Sequence, residues 1–505
     1  MPRITTAHLL ASILDEDSWR SWDAPVPDVD SDPDYAAELA EARAATGLDE
    51  SITTGSARIV GHAVAVVAGN FDFLAGSVGQ AAAARIVAAF ERARTLGLPV
   101  VGLPTSGGTR MQEGTPAFLR MARIAAVVRT LTDSGLPYLV YLRNPTTGGV
   151  LATWGSLGDV TYAEPGALIG FLGPRVYEGL YGMPFASDVQ TAEALTNAGV
   201  VDGVATPQQW RGIVVDLLSS WRARPGGAVT PPGWEAPSPD VSTAPSAAAP
   251  ERVEPGQDLT GWQMVERTRA TERAGAAELL AAAFHGVQFL SGTQAGERAD
   301  ATLLAVATLD GQGCVVVAQD RERQRQRAAD APGGGIGPGD LRVARRGMSL
   351  AQRWGLPFVT IIDTQGAELS AVAESGALAG EIARCLADLA VLQTPTMAVL
   401  IGGGGGGGAL ALLPADRVVA AHDAWVTPLP VEGASLIRHR TTDRAAEIAD
   451  AQGIRAADLA GIAAVDRVVA APVSDGAAWR VVLAEELAHL VAAGPVVTPR
   501  TWPAE

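Results

Sequence analysis

The chain contains no lysine: all 38 basic residues among its 505 are arginine. Both a Schiff-base lysine and a phosphate-loop lysine are thereby excluded. Cysteine is nearly absent, with only Cys314 and Cys385 and no CxxC pair. That rules out a disulfide framework or a thiolate zinc site and suits a reducing cytoplasm. The six histidines never fall in HxxxH spacing, so no metal is expected. No GxSxG is present, which removes a nucleophile elbow. No apolar run reaches 18 residues, and Met1-Pro2-Arg3-Ile4 leads to acidic residues by Asp15, so neither a membrane span nor an export signal is expected. Positive charge is in deficit. A net charge of −17 argues against nucleic acid or an anionic membrane as the main partner. What the chain has in quantity is apolar residues, at 48%, and glycine, at 57 residues. The length suits two or more domains.

Residues 1–50 are polar and acidic, with Asp28, Asp30, Asp32 and Asp34, and read as an irregular or short-helical arm. Strand-like runs follow at Ala57 to Val60 and Ala63 to Ala68. Helical spacing covers Gln80 to Leu96 and Phe118 to Leu131. Short buried strands are predicted at Leu98 to Leu103, Tyr138 to Leu142 and Val160 to Ala163, and a helix around Trp210 to Trp221. Residues 226–257 are crowded with Pro, Ala, Ser and Gly and read as a linker. The pattern then restarts. Pro99 and Pro137 are 38 residues apart, and so are Pro357 and Pro395, each introducing a short apolar strand. A whole domain has been duplicated, with α/β layers in each half. The expected division is a 1–50 arm, a 51–225 domain, the linker and a 258–505 domain.

Each half carries a pair of glycine turns. In the first half, a strand ends in Ser106-Gly107-Gly108-Thr109-Arg110, and another leads through Asn144-Pro145-Thr146-Thr147-Gly148-Gly149-Val150 into a helix. The counterparts are Gly366-Ala367 and the glycines 402–408. Gly108 to Gly149 is 41 residues and Gly366 to Gly408 is 42. Glycine permits positive φ and close backbone approach. The first amides of the following helix lack intrahelical partners and point outward. Such N–H groups hold a phosphate, or the oxyanion of a thioester enolate. The phosphate option fits less well, since Gly149 is followed by Val150 and Gly408 by Ala409, and Gly333 to Gly339 never completes GxGxxG in register. Glu113 and Glu164 follow the two turns of the first half as a candidate acid/base pair, with a turn role as the other reading of Glu164. Arg321, Arg323, Arg325 and Arg327 could meet an anion or form a solvated face.

Ser106 to Gly114, Asn144 to Val150 and Ala163 to Val176 closely resemble the β subunit of acetyl-CoA carboxylase carboxyltransferase. The second half is similar to the α subunit at Ile362-Asp363-Thr364 with Gly366-Ala367, at Ile401 to Ala411 and at Val431 to Ser435. The whole resembles a fused β–α carboxyltransferase of the actinobacterial type. The resemblance implies two tandem crotonase-like (ClpP/crotonase) domains. It implies that a biotin carboxyl carrier protein and a biotin carboxylase are partners, and that carboxyl passes from carboxybiotin to the α-carbon of acetyl-CoA or another short acyl-CoA, as in malonyl-CoA formation for fatty acid synthesis. The biotin ureido anion left after CO2 release is expected to take the α-proton. Gly148 and Gly149 are expected to be catalytic on the acyl-CoA side, and Gly407 and Gly408 on the biotin side. Gly107, Gly108, Arg110, Gly366 and Ala367 are expected to bind substrate. Sites between protomers of a homodimer, or of a dimer-based hexamer, are implied, in the cytoplasm.

The second half departs from the pattern. Gln365 stands where the family has Pro, Glu368 where it has Tyr, and Gly406 where it has Ser; no four-Cys zinc ribbon is present. Asp363 to Gly366 and Leu369-Ser370 look more like the γ subunit of biotin-independent malonate decarboxylase. A biotin-independent malonyl-thioester decarboxylase or carboxyltransferase, and a non-catalytic assembly subunit, are the alternative readings.

Overall fold

A computed structural model describes residues 3–26, 33–171, 178, 189–225, 259–330, 335–368, 370–428 and 430–494. The linker expected at 226–257, the end of the first-half motif at 172–176, and Leu369 lie outside them. The chain forms two compact units: among the described residues, one comprises those up to Leu218 with Gln294–Gly296, and the other comprises the rest from Ser219 onward.

In the first unit the described strands are β1 (Arg20–Ser21), β2 (Ile52–Ile59), β3 (His62–Gly69), β4 (Val100–Leu103), β5 (Tyr138–Leu142), β6 (Thr146–Thr147), β7 (Val160–Ala163), β8 (Ile169–Gly170) and β9 (Gly203–Val204). The sheet order is β1-β2-β3-β4-β5-β7-β9, with β6 paired to β8 apart from it. β2 and β3 form an antiparallel hairpin, and β3, β4, β5, β7 and β9 run parallel. The parallel strands are near-continuous apolar runs because helices return across the sheet. Those helices are Gln80–Leu96, whose bounds match the periodicity, and Gly114–Asp133, one turn longer at its start than the predicted stripe. Of the two readings of the arm, the structure has the short-helical one: Thr6–Ile13 is a helix capped by the Thr5 hydroxyl, and Pro33–Thr46 is a second helix.

The second unit repeats the design with β10 (His285–Leu290), β11 (Thr302–Leu309), β12 (Gln312–Gln319), β13 (Phe358–Thr364), β14 (Thr396–Gly405), β15 (Arg417–Ala421), β16 (Trp425–Thr427) and β17 (Arg467–Val469). Its order is β10-β11-β12-β13-β14-β15-β17, with β16 on the end of β14. The hairpins β2–β3 and β11–β12 turn on two left-handed residues each, Val60-Gly61 and Asp310-Gly311. That is the two-residue geometry that matches strand twist. The helices Gln80–Leu96 and Pro338–Trp354 are both 17 residues long and both end on a left-handed glycine, Gly97 and Gly355, at φ 65°. Both units are thus mixed α/β, in keeping with two tandem crotonase-like domains.

Candidate active site

The first site begins where β4 ends. The Ser106 hydroxyl donates to the Gly108 carbonyl at 3.2 Å and accepts the Gly108 N–H at 2.9 Å. This small ring fixes Gly108 at φ +118°, in the region that favours glycine. The loop is tied to its neighbour by Val78 N–H to Gly108 O at 2.9 Å and Arg110 N–H to Val78 O at 3.0 Å. In that bridge the intervening Thr109 N–H faces the other way and has no acceptor among the described residues. The second turn leans on the first through Ser106 N–H to Pro145 O at 2.8 Å and Thr147 N–H to Ser106 O at 2.9 Å. Gly148, at φ +64°, opens a short helix whose preceding Thr147 supplies no side-chain cap. Its N–H donates to Phe171 O at 3.1 Å. The Gly149 N–H, next in the helix, precedes any intrahelical acceptor. A methyl on Gly148 would sit 3.1 Å from Gly108 Cα, and one on Gly149 would sit 2.9 Å from Thr109 Oγ1. The two turns therefore pack backbone to backbone, and the Thr109 and Gly149 amides flank their junction.

Arg110 follows Thr109 directly and is 1% exposed. Its guanidinium donates to both Glu50 carboxylate oxygens, Tyr35 Oη, Ser51 Oγ, and the Ser77 hydroxyl and carbonyl. Burial pulls it down, but the Glu50 bonds and charge outweigh that and hold it above its ordinary range. Expected to meet substrate, Arg110 is instead enclosed by the protein, because a buried guanidinium needs its donors matched. Glu113 accepts the Tyr35 hydroxyl at 2.6 Å and the Gln80 N–H at 2.6 Å, capping the helix Gln80–Leu96. Burial and the Glu113 bond push the Tyr35 phenol up to about 12. Glu164 accepts the Asn144 N–H at 2.9 Å. Glu113 thus serves a helix N-terminus and Glu164 the second turn, and the acid/base option is set aside in favour of these roles.

The second unit rebuilds the same arrangement. The Thr364 hydroxyl accepts the Gly366 N–H at 3.1 Å, and its one hydrogen lies between Gln324 Oε1 at 2.6 Å and Gly366 O at 2.9 Å. Ile336 N–H donates to Gly366 O, and Glu368 N–H to Ile336 O, both at 3.0 Å. Ala367 thereby takes the place of Thr109, its N–H without an acceptor among the described residues. The left-handed residues are Gly366 and Gly406, 40 positions apart, as are Gly108 and Gly148. This corrects the register read from sequence. Gly406 and Gly407 correspond to Gly148 and Gly149, and Gly408 to Val150. Exposure agrees: Gly148, Gly149, Gly406 and Gly407 are partly exposed, whereas Val150 and Gly408 are buried. Gly408 O accepts from Gln319 Nε2 at 2.7 Å. The long glycine run concealed the register, and each glycine in it answers to a neighbour. A side chain on Gly402 would overlap Asp363 and Arg273, and one on Gly405 would overlap the Gln365 backbone.

Asp363, missed as a site-building residue, is fully buried behind this turn. It accepts the Gly403 N–H at 3.1 Å and lies 3.4 Å from Arg273 and 3.8 Å from Arg321. Burial holds its carboxyl above the usual range, opposed by the two arginines. Of the arginine series, Arg321 is buried and donates to the carbonyls of Thr268 and Arg273, and Arg327 pairs with Asp340. Arg323 is the solvated one, beside Asp300 and Asp320. Among the described residues no group of three His, Cys, Asp or Glu is placed to hold a metal ion, and no helix is long and apolar enough to cross a membrane.

Comparison with known proteins shows the family of the chain. The carboxyl transferase domain model matches residues 26–475. A probable biotin-dependent acyl-coenzyme A carboxylase beta3 subunit of Mycobacterium tuberculosis is 51% identical over 472 residues, 93% of this chain and 90% of the relative. The acetyl-coenzyme A carboxylase carboxyl transferase subunits beta/alpha of Salinispora arenicola are 35% identical over 499 residues, 97% of this chain and 87% of the relative. In fold, the chain is similar to the transcarboxylase 12S hexamer solved with methylmalonyl-coenzyme A and methylmalonic acid, with a TM-score of 0.74 at 20% identity over 100% of this chain and 92% of that one.

Proposed function

We propose the following reading on the premise that this chain belongs to the carboxyl transferase domain family, as a carboxyltransferase subunit of a biotin-dependent acyl-CoA carboxylase. The first unit accepts the acyl-CoA. The Thr109 and Gly149 amides hold the thioester oxygen and gain strength as it takes on enolate charge. The second unit accepts biotin, borne on a carrier protein, between the Ala367 and Gly407 amides. The fit rests on the duplicated donor pattern: two N–H groups without acceptors flank each junction of left-handed glycines. When bound, biotin supplies the carboxyl group and the base for the α-proton. The chain supplies no titrating side chain of its own; its turns position, polarise and keep the amide dipoles preorganised. Ser106 and Thr364 set the direction of each turn, and Arg110 with Glu50 braces the first.

The substrate is acetyl-CoA or another short acyl-CoA, giving malonyl-CoA or its homologue for fatty acid synthesis. Partners are a biotin carboxyl carrier protein and a biotin carboxylase. A homodimer or dimer-based hexamer supplies the complete site, with the first unit of one copy working with the second unit of another. The observation that carries this reading over a non-catalytic one is the equal 40-residue spacing in the two halves, since the second turn keeps its geometry despite its drifted sequence. A panel of acyl-CoAs offered with carboxylated carrier protein tests it. Acetyl-CoA and propionyl-CoA are expected to accept label fastest. Transfer to none of the panel, or only to long chains, overturns the substrate assignment.

A further inference from the structure

Beside the Gly366 turn, and wholly within the second unit, is an open cleft of about 140 Å³. The residues lining it include Arg269, Arg321, Arg325, Gln324, Gln365 and Thr268, and no Asp or Glu. A single water needs roughly 10–15 Å³ in this measure, so the cleft has room for a small ion and its waters. Two of the guanidiniums make their shortest bonds to backbone carbonyls. Arg321 donates to Thr268 O at 2.8 Å and Arg273 O at 2.6 Å, and Arg325 donates to Arg269 O at 3.1 Å and Ala270 O at 3.0 Å. Carbonyls fix direction without cancelling charge. The carboxylates nearby stand outside the lining: Glu322 is 3.4 Å from Arg325, Asp363 is buried 3.8 Å behind Arg321, and Glu432 pairs with Arg269 at 2.8 Å. The Gln365 carboxamide oxygen lies 3.5 Å from Arg269 Nε and helps to fix that guanidinium.

We infer that this cleft binds one small oxyanion, taken up by the Arg325 and Arg269 guanidiniums. Planar donor forks suit carboxylate-type and phosphate-type oxygens alike, so bicarbonate and inorganic phosphate share the required chemistry. The inference stands apart from the carboxyl-transfer reading, because it is read by binding with neither acyl-CoA nor biotin present. Inorganic phosphate and bicarbonate are titrated separately into the full-length protein against chloride at equal ionic strength and fixed pH, following the melting temperature. A ligand of the native state raises it by mass action. The wild type is expected to respond to at least one of the two, and the stronger response identifies the source. Arg325→Gln is expected to weaken the apparent affinity at least about tenfold, the scale of one charge-assisted bond. Arg323→Gln, a solvated neighbour on the same helix, is expected to respond as the wild type does. Should Arg325→Gln fail to fold by circular dichroism, Arg269→Gln is read in its place. No response in the folded wild type, or equal responses from wild type and the cleft variant, overturns the site.

Discussion

Ser106 and Thr364 are chemically modest residues with a defined task in each half. Each hydroxyl closes a ring onto the glycine two positions on, at 2.9 and 3.1 Å for the accepted N–H. Removing the ring frees a glycine that other bonds only partly restrain. Ser106→Ala is expected to lower kcat about tenfold to a hundredfold, less than the loss of a whole oxyanion donor. Ser106→Thr, which copies the second half, is expected to retain most activity. A merely structural role would show the same melting loss in both variants with kcat unchanged. Gly148→Ala places a methyl in a left-handed position 3.1 Å from Gly108 Cα. The strain is of order 1–3 kcal/mol, and kcat is expected to fall at least about a hundredfold while CoA binding by calorimetry persists. The Arg110–Glu50 pair is fully buried, so Glu50→Gln leaves an uncompensated guanidinium and is expected to cost about 3–5 kcal/mol in denaturant unfolding. The thiols should be silent. Burial pushes Cys314 and Cys385 up to about 12. Their folded values are raised, so the associated stability is complete below the unfolded value of about 8.5 and is lost as pH rises toward 12. Neither thiol is expected to react with iodoacetamide at pH 8 until the chain is unfolded. Alkylation of the native protein at a free-thiol rate would contradict this placement.

At the level of elements, periodicity and punctuation made the scaffold legible. The helix Gln80–Leu96 and the strands Tyr138–Leu142 and Val160–Ala163 fall on the residues their patterns indicate. Long apolar stripes and short apolar runs bounded by Gly and Pro leave little latitude. The second turn was harder. Seven consecutive glycines from 402 to 408 carry no side-chain pattern, so nothing in the sequence marks where β14 stops and the helix begins. Only backbone geometry identifies Gly406 as the partner of Gly148. The roles of Arg110 and Glu113 were also hidden, because their partners Glu50, Tyr35 and Gln80 lie far off in sequence. The glycines of the run should differ in tolerance. Gly405→Ala is expected to disrupt the turn because its methyl would overlap the Gln365 carbonyl, whereas Gly407→Ala meets only the flexible end of Ile382 at 2.8 Å. Circular dichroism melts are expected to rank Gly405→Ala well below Gly407→Ala; the reverse order would show that Gly405 is not the point of close approach.

For the molecule as a whole, duplication is the organising fact. Two units of like topology each offer one junction of glycine turns, and the proposed reaction needs one for the thioester and one for biotin. If the complete site takes its two units from different copies, a variant disabled at Gly148 and one disabled at Gly406 should restore activity when unfolded together and refolded as a mixture. A mixture no more active than its parts would place both turns of a working site in one copy. The central claim is tested most directly by measuring CO2 release from malonyl-CoA with and without biotin. Release is predicted to require biotin, free or on its carrier, and to disappear in Gly148→Ala. Release at the same rate without biotin, or none under either condition, would contradict it.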